Sequence, residues 1–595
     1  MNASAETFVG EQPLVSSPPP PPRQVTFEGC IGWLHLPAAG QAGHGVILCS
    51  PLAHEELATH AGWRVLGRML AEAGLAALRF GYPGTGDSAG DEDEPDRLER
   101  WIESIVAAAA WMRRCCGVSG ISLVGLRLGA PLAALAAARI EGVHTLALLS
   151  PVVSGRHFVR EMRLLASAWW AESSPNQRPL DTPPGCLDVV GYRWDAASLR
   201  ALAAIDLHHL ARWPQRVLVM DEQARPDLAA AVRARAGQVS VLGFPGALDF
   251  LVDPLRSVVP QAAFETLCAL LATEADQPPH AAMTLDPPRI ELAHAVEEPL
   301  AFGPDQRMNA LLCRPAREAP GRPAMLILNT GLTHRIGHSR MSVLLARALA
   351  RAGVASLRID GTGIGDTPLP PGGQPTKLFD LRSVADVMAA VDALQALDFG
   401  PVTVFGMCAG GYQAFHAALA DPRIAGIIVL NMPKFIWLGG PVSDVRHESH
   451  RRATGIYLQA LLRRDSWARV LRGEINMPRL AFDLAWRMVR TLRRRAMRWL
   501  EGETGWETEA GRVERWLRSL AARGVRVQMF YSEADPGLAD LHMEVSMRRI
   551  GRDARGFSLD ILPDADHNML GRIEVRDQFV ARAVSRFTQT HEHDR

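Results

Sequence analysis

One segment of the chain occurs twice, and this repeat constrains the fold more than any other feature of the sequence. Residues 62–88 and residues 341–367 align at an offset of 279, and each has the pattern of an amphipathic helix, a glycine turn, a strand and a glycine-rich loop. A second pair of similar segments begins at Ile121 and Val402, at an offset of 281. The alternation of strand and helix predicts parallel βαβ units in both halves. We therefore expect two α/β domains of one fold.

The chain of 595 residues is long enough for two such domains. The proline run near the N-terminus predicts that residues 1–24 form a disordered tail without a core. We place the first domain at residues 25–275 and the second at residues 289–590. Residues 276–288, rich in proline and alanine and polar in character, are interpreted as the linker.

Composition excludes several classes of protein. The formal net charge is zero, so the chain lacks the overall basic character typical of nucleic-acid binding. Hydrophobic residues make up 48% and charged residues 22%, which is ordinary for a globular protein. No apolar run is long enough to span a bilayer, and the N-terminus lacks the pattern of a secretory signal. The eight cysteines, mostly in apolar segments, predict reduced thiols in the cytoplasm, with no metal and no cofactor.

The turn after the central strand of the second half carries the most informative motif. It contains Gly406-Met-Cys408-Ala-Gly410, preceded by a β-rich segment and followed by a predicted helix. Glycines permit a sharp strand-to-helix turn that holds a nucleophile in a strained conformation. The helix N-terminus lowers the pKa of a thiol placed there. We predict that Cys408 is a nucleophile; the alternative is a small buried cysteine in a tight turn.

With these motifs, both halves resemble the α/β-hydrolase fold, in the branch of the serine aminopeptidases and lipase-like hydrolases. The first half has Gly125-Leu-Arg127-Leu-Gly129 at the turn and is similar to the hydrolase-like proteins associated with exosortase systems. The resemblance implies mostly parallel sheets flanked by helices and the chain order nucleophile, acid, histidine. It also implies a helical lid insertion, at about residues 434–520.

The second half supplies the acid and the histidine in that order. The strand predicted at Val525–Tyr531 precedes Asp535, and the strand predicted at Phe557–Leu562 precedes His567. Ligands of open α/β sheets bind at the carboxyl ends of the strands. We predict that His567 deprotonates the Cys408 thiol and that Asp535 holds the imidazole in the required tautomer; Asp540 is the alternative acid.

The resemblance further implies an oxyanion hole made by two backbone N–H groups. One belongs to Ala409, the residue after the nucleophile. For the other we predict Leu332, on the loop after the strand Leu326–Asn329. His334 and His338 on the same loop either line the pocket or face solvent.

The first half lacks all three triad residues. Alignment of the halves places Arg127 opposite Cys408, Arg225 opposite Asp535, and Asp249 opposite His567. Arginine stays protonated and is neither a nucleophile nor a base. We therefore predict a degenerate pseudo-hydrolase, in which these three residues form a buried ion cluster or an anion pocket. A displaced site on an earlier loop is a further alternative, with the residues Ser50, His54 and Glu55.

The predicted lid has an unusual charge. Residues 446–498 contain 14 arginines and four acidic residues, an excess of +10 on a chain of zero net charge. Such a surface is a solvated face, a partner for the acidic stretch Asp87–Glu99, or a docking site. As a docking site it suits an acidic partner such as an acyl carrier protein, or an anionic membrane surface.

We interpret the chain as an acyl hydrolase or acyltransferase. It would act through an acyl-cysteine intermediate on an ester, thioester or lactone, and its substrate would be a small molecule or a carrier-bound acyl group. The acyl-cysteine is itself a thioester, which favours transfer over amide cleavage and makes a peptidase the third choice. The alternative from another class is a non-catalytic scaffold that binds partners through both halves.

Overall fold

The computed structural model places most of the chain. It describes residues 19–173, 182–223, 225–275, 278–317, 321–437, 509–533, 535–544, 556–569 and 572–592. We call residues 19–275 the first half and residues 289–592 the second half.

An eight-stranded sheet forms the centre of the first half. The strands of this half are β1 (Arg23–Phe27), β2 (Cys30–His35), β3 (His44–Cys49), β4 (Ala76–Phe80), β5 (Gly120–Leu126), β6 (Val143–Leu149), β7 (Leu187–Val189), β8 (Tyr192–Trp194), β9 (Arg216–Asp221) and β10 (Gln238–Gly243). The order in the sheet is β1-β2-β4-β3-β5-β6-β9-β10, and β7 and β8 form a separate hairpin. The pairings of β1 with β2 and of β2 with β4 are antiparallel, whereas the remaining pairings are parallel.

Helices cover both faces of this sheet. They are α1 (His54–Glu72), α2 (Arg97–Cys116), α3 (Gly129–Ala137), α4 (Gly155–Ser173), α5 (Ala196–Ala203), α6 (Pro226–Arg233), α7 (Ala247–Phe250) and α8 (Gln261–Ala272). One core lies between the sheet and α2, α3 and α4, and another lies between the sheet and α1, α7 and α8. Every residue of β3, β4 and β5 is buried, as expected of near-continuous apolar strands between two helical layers.

The second half repeats this architecture with one additional edge strand. Its strands are β11 (Ile290–Glu291), β12 (Ala295–Phe302), β13 (Met308–Pro315), β14 (Ala324–Ile327), β15 (Ala355–Asp360), β16 (Val402–Met407), β17 (Ile424–Leu430), β18 (Arg526–Ser532) and β19 (Phe557–Leu562). The order is β11-β12-β13-β15-β14-β16-β17-β18-β19. From β12 onwards it matches the first sheet strand for strand, so the two halves have one topology.

Helices of the second half also lie on both faces. They are α9 (Met341–Arg351), α10 (Val384–Ala396), α11 (Ala409–Ala420), α12 (Glu509–Ala522), α13 (Pro536–Glu544) and α14 (Ile573–Glu592). Most of the predicted lid, residues 438–508, lies outside the described residues. Its last residues belong to α12, which packs on the core through Val513, Leu517 and Leu520. No helix in the described part of the chain is both long and apolar enough to cross a membrane.

The predicted linker runs along the first half where it is described. The His280 N–H donates to the Gly117 carbonyl at 2.7 Å, and the Thr284 N–H donates to the Cys115 carbonyl at 2.8 Å. Met283 also packs against the core of the first half. These contacts attach the connection to the end of α2.

The two halves meet through equivalent positions of the repeat. Arg79 on β4 contacts Asp366 of the second half, with Nη2 and Oδ1 2.5 Å apart. Arg358 on β15, the repeat equivalent of Arg79, forms an ion pair with Asp87, the equivalent of Asp366. All four side chains are buried. Each half thus contributes the arginine of one pair and the aspartate of the other, as in the interface of a two-fold symmetric dimer.

Candidate active site

Cys408 occupies a strained turn between β16 and α11. Its φ and ψ are 53° and −115°, a conformation that side chains other than glycine rarely adopt. The Cys408 N–H donates to the Leu430 carbonyl at 2.9 Å, which fastens the turn to the neighbouring strand. The thiol is partly exposed. Backbone strain of this kind is found at functional sites, where the surrounding structure maintains it.

The two glycines that flank the nucleophile position are required by close backbone contacts. A Cβ atom on Gly406 would lie 2.1 Å from the Gly410 carbonyl oxygen. A Cβ atom on Gly410 would lie 2.4 Å from the carbonyl oxygen of Asn329, two residues after the neighbouring strand β14. Any side chain at either position would therefore open the turn. This contact also places the loop after β14 directly against the N-terminus of α11.

His567 and Asp535 come together from two different loops. The Nδ1 atom of His567 lies 2.5 Å from Oδ2 of Asp535, whose carboxylate is 2% exposed. The other carboxylate oxygen, Oδ1, accepts the Gly537 N–H at 2.7 Å. His567 and Cys408 lie close enough for their side chains to interact electrostatically. The structure therefore brings the three predicted triad residues together, and the acid that contacts His567 is Asp535.

The surroundings of His567 favour its charged form. Burial lowers the pKa of the imidazole, but the charges of Asp535 and Cys408, together with the hydrogen bond to Asp535, raise it well above its usual value. A proton on the imidazole therefore stabilises a negative charge on each neighbour.

Two residues to which the sequence analysis assigned no role fix the histidine loop. Asn431, directly after β17, donates through Nδ2 to the Ser532 Oγ and to the His567 carbonyl, both at 2.8 Å. The Ser532 hydroxyl donates to the Asp566 carbonyl at 2.7 Å. Asn431 and Ser532 are fully buried. Their sequence signal is only a polar residue at the end of an apolar strand, which many residues share.

The predicted oxyanion donors lie on the two elements that meet at Gly410. Ala409 is the first residue of α11, and Leu332 follows β14 on the adjoining loop. Among the described residues, neither backbone N–H has a hydrogen-bond acceptor. Both donors are therefore available to a ligand.

The two histidines of this loop have different environments. His334 is buried against the first half, where it stacks on His60 with ring centroids 3.8 Å apart. It thus lines a cavity between the halves. His338 lies close enough to His567 for the two to interact electrostatically, and burial lowers the pKa of His338 to about 4. Of the two alternatives predicted for this loop, His334 therefore does not face solvent, and His338 lies near His567.

The aligned positions of the first half do not form a cluster. Arg127 donates to Glu55 and to Glu161, both at 2.7 Å. Arg225 contacts Asp221 at 2.6 Å and is 44% exposed, whereas Asp249 lies on the surface. The predicted buried ion cluster of Arg127, Arg225 and Asp249 is therefore wrong, because alignment of positions does not determine the direction of side chains.

The alternative site on the earlier loop of the first half is also not assembled. Glu55 is engaged by Arg127, and burial lowers the pKa of His54. No hydrogen bond joins Ser50, His54 and Glu55 to one another among the described residues.

The acidic stretch Asp87–Glu99 is a further candidate partner for the predicted lid. Its described partners lie outside the lid. The arginines of residues 446–498 lie outside the described residues.

Two groups of side chains in the described part of the chain have metal-ligating atoms within 4.8 Å of one another. In the group of Glu56, His60 and His334, the imidazole planes are only 11° apart and stacked. Their nitrogen lone pairs therefore run side by side and do not converge on one point. The other group is His44, His144 and Glu274. There His44 and Glu274 are already bonded to each other, at 2.8 Å.

A strained turn with a nucleophilic side chain, at the carboxyl end of a mostly parallel sheet with helices on both faces, defines an α/β hydrolase. Residues 325–583 match the model of the alpha/beta hydrolase family, and the second half belongs to this superfamily. The family match supports a hydrolase function for the second half. No curated protein matches the sequence.

Several solved structures are similar to this chain. Est1E from Butyrivibrio proteoclasticus, with ferulic acid bound, is 18% identical, with a TM-score of 0.33; the match covers 42% of this chain and 98% of that chain. The esterase domain of a Rhodothermus marinus protein is 20% identical over 42% of this chain and 98% of that chain, with a TM-score of 0.30. Carboxyl esterase 2 from Tuber melanosporum is 13% identical, with a TM-score of 0.31; the match covers 50% of this chain and 87% of that chain.

Proposed function

We propose that the second half is an acyl hydrolase or acyltransferase that uses Cys408, His567 and Asp535. The observation that carries this proposal is the position of His567, which contacts Asp535 through Nδ1 and also interacts electrostatically with Cys408. Since Nδ1 is occupied, Nε2 is the nitrogen that exchanges a proton with the thiol. The N-terminus of α11 behind Cys408 favours negative charge on the sulfur.

The proposed reaction proceeds in two steps. Sγ of Cys408 transfers its proton to His567 and attacks the acyl carbonyl carbon of an ester, thioester or lactone. The N–H groups of Ala409 and Leu332 stabilise the oxyanion. On collapse, the bond to the leaving group breaks and His567 returns the proton to that group. Water or a second nucleophile then attacks the acyl-cysteine, with His567 as the base, and releases the Cys408 thiol.

The first half is proposed to take no part in this chemistry. It has Arg127, Arg225 and Asp249 at the positions of the nucleophile, acid and histidine. An arginine forms no acyl intermediate and accepts no proton at neutral pH. Turnover is therefore expected to depend on one thiol per chain.

The test is to trap the acyl-enzyme with para-nitrophenyl butyrate. We expect a burst of nitrophenol of one equivalent or less, and a butyryl mass on the peptide that contains Cys408. Cys408→Ala should abolish both. Cys186→Ala is the matched control, because Cys186 is another partly exposed thiol, and it should leave both unchanged. A butyryl group on another residue, or turnover by Cys408→Ala, would refute the proposal.

A further inference from the structure

The loop that carries Leu332 is unusually buried. We call residues 330–340 the oxyanion segment. Loops normally lie on the surface and are mobile, but Thr333, His334, Arg335 and Arg340 are each no more than 5% exposed. Most of the partners that cover these side chains belong to the first half.

The first contact is an aromatic stack, two residues after Leu332. The rings of His334 and His60 are 3.8 Å apart and nearly parallel. His60 lies on α1 of the first half, and its own orientation is set by a hydrogen bond of 3.2 Å to Asp366. One ring from the first half therefore fixes the position of His334.

An ion pair fixes the next residue. The Nη2 atom of Arg335 lies 2.8 Å from Oδ2 of Asp87 in the first half, and its Nη1 lies 2.8 Å from Oδ2 of Asp360 in the second half. Its guanidinium also lies 5.8 Å from the ring centre of Trp33. Arg335 thus joins the oxyanion segment to both halves.

The end of the segment is held by backbone carbonyls and by apolar packing. Ile336 is fully buried against Leu57 of α1. The Arg340 guanidinium donates to four carbonyl groups of the glycine-rich loop after β4, at 2.8–3.1 Å: those of Gly84, Gly86, Ser88 and Gly90. Contacts from the first half therefore continue from His334 to Arg340.

We propose that the first half positions the oxyanion segment, with His60 as a positioning residue that acts through His334 on the Leu332 N–H. The inference rests on the proposed function of the second half. An oxyanion donor must be held close to its productive geometry, and a backbone loop without support does not maintain that precision. A half without catalytic residues thereby contributes to the rate of acylation.

The experiment distinguishes an effect on the oxyanion hole from an effect on the reactivity of the Cys408 nucleophile. Iodoacetamide alkylates a thiolate without forming an oxyanion, whereas acylation by para-nitrophenyl butyrate forms one. We expect His60→Ala to slow acylation in a single turnover about tenfold, less than the roughly 10²–10³-fold loss when an oxyanion donor is removed. Alkylation of Cys408 should stay within about twofold. His60→Phe retains a ring against His334 and should restore most of the acylation rate.

A matched control lies one turn further along α1. Arg64 donates to the Thr367 carbonyl at 3.2 Å and so also joins the halves, but within the described part of the chain it has no hydrogen bond or ion pair with the oxyanion segment. Arg64→Met should leave acylation and alkylation unchanged. Leu57→Ala, which removes the packing against Ile336, is a second variant should His60→Ala fail to fold. It should slow acylation in the same way.

Hydrogen–deuterium exchange of peptides within residues 330–340 provides a readout independent of activity. His60→Ala should increase exchange there and Arg64→Met should not. Unchanged acylation and exchange in His60→Ala would overturn the inference, as would an equal loss of acylation and alkylation. If wild-type Cys408 is never acylated, the proposed function fails; increased exchange in His60→Ala would then still support positioning of the segment, and unchanged exchange would refute it.

Discussion

The turns after β5 and β16 have one backbone path and two different side chains. Arg127 has a φ of 52° and Cys408 a φ of 53°. The Arg127 N–H donates to the Leu149 carbonyl at 3.0 Å, just as the Cys408 N–H donates to the Leu430 carbonyl at 2.9 Å. Yet the arginine contacts two glutamates, whereas the cysteine lies close enough to a histidine to interact with it electrostatically.

This comparison shows that a strained turn alone does not identify an active site. In both halves the strain follows from close backbone packing: a Cβ on Gly125 would lie 2.5 Å from the Gly129 carbonyl oxygen, and a Cβ on Gly406 would lie 2.1 Å from that of Gly410. The packing of strand and helix is therefore sufficient to maintain the turn. The chemistry depends on what the later strands bring to it.

The largest expected effect concerns the histidine loop of the second half. His567→Ala should slow acylation by about 10²–10⁴-fold, the usual contribution of a general base. Asp535→Asn should lower the pKa of His567, because it removes a negative charge that favours the imidazolium. The acid limit of the pH–rate profile, where a protonated imidazole can no longer act as the base, should then move to lower pH. A profile that stays unchanged in Asp535→Asn would argue against the pairing of these two residues.

The ion pairs between the halves should have the next largest effect. Asp366→Ala leaves Arg79 buried without its nearest carboxylate and should reduce the free energy of unfolding by about 3–5 kcal/mol. Asp560→Ala is the control, since its partner Arg586 is 43% exposed, and it should cost less than about 1 kcal/mol. Denaturant titration measures both. Equal costs would show that the interface pair is no more important than a surface pair.

A smaller effect should appear as a pH dependence of stability. Burial is the main reason that the pKa of Glu56 is raised from 4.5 to about 7. The folded state therefore keeps a proton that the unfolded chain releases between these values, so stability falls as the pH rises from 4.5 to 7. Glu56→Gln should remove this fall and gain roughly 1–3 kcal/mol relative to the wild type at pH 8. A wild-type stability that rises over this range, with no flattening in Glu56→Gln, would contradict the assignment.

The smallest effect is expected at the position of the first half that aligns with His567. Asp249 lies on the surface. Asp249→Ala should change the free energy of unfolding by less than about 0.5 kcal/mol and leave acylation unchanged. If thermal or denaturant unfolding showed that the free energy of unfolding falls by several kcal/mol, Asp249 would belong to a buried charge cluster after all.

Much of the site could be predicted from the sequence because it depends on strand ends. Cys408, Asp535 and His567 each follow an apolar strand, and the carboxyl ends of parallel strands meet at one edge. Asn431 and Ser532 could not be predicted in the same way. They also follow strands, but their role depends on the path of the histidine loop, which no local pattern encodes.

The sequence by itself determined the fold of each half, because hydrophobic periodicity and glycine spacing are local properties and occur twice. It also contained Arg79 and Asp87 in one repeat and Arg358 and Asp366 in the other. Only the tertiary structure decided that each arginine pairs with the aspartate of the other half. That choice depends on how the two halves pack against each other and on the desolvation of charges between them. Both are properties of the assembled halves and not of either segment.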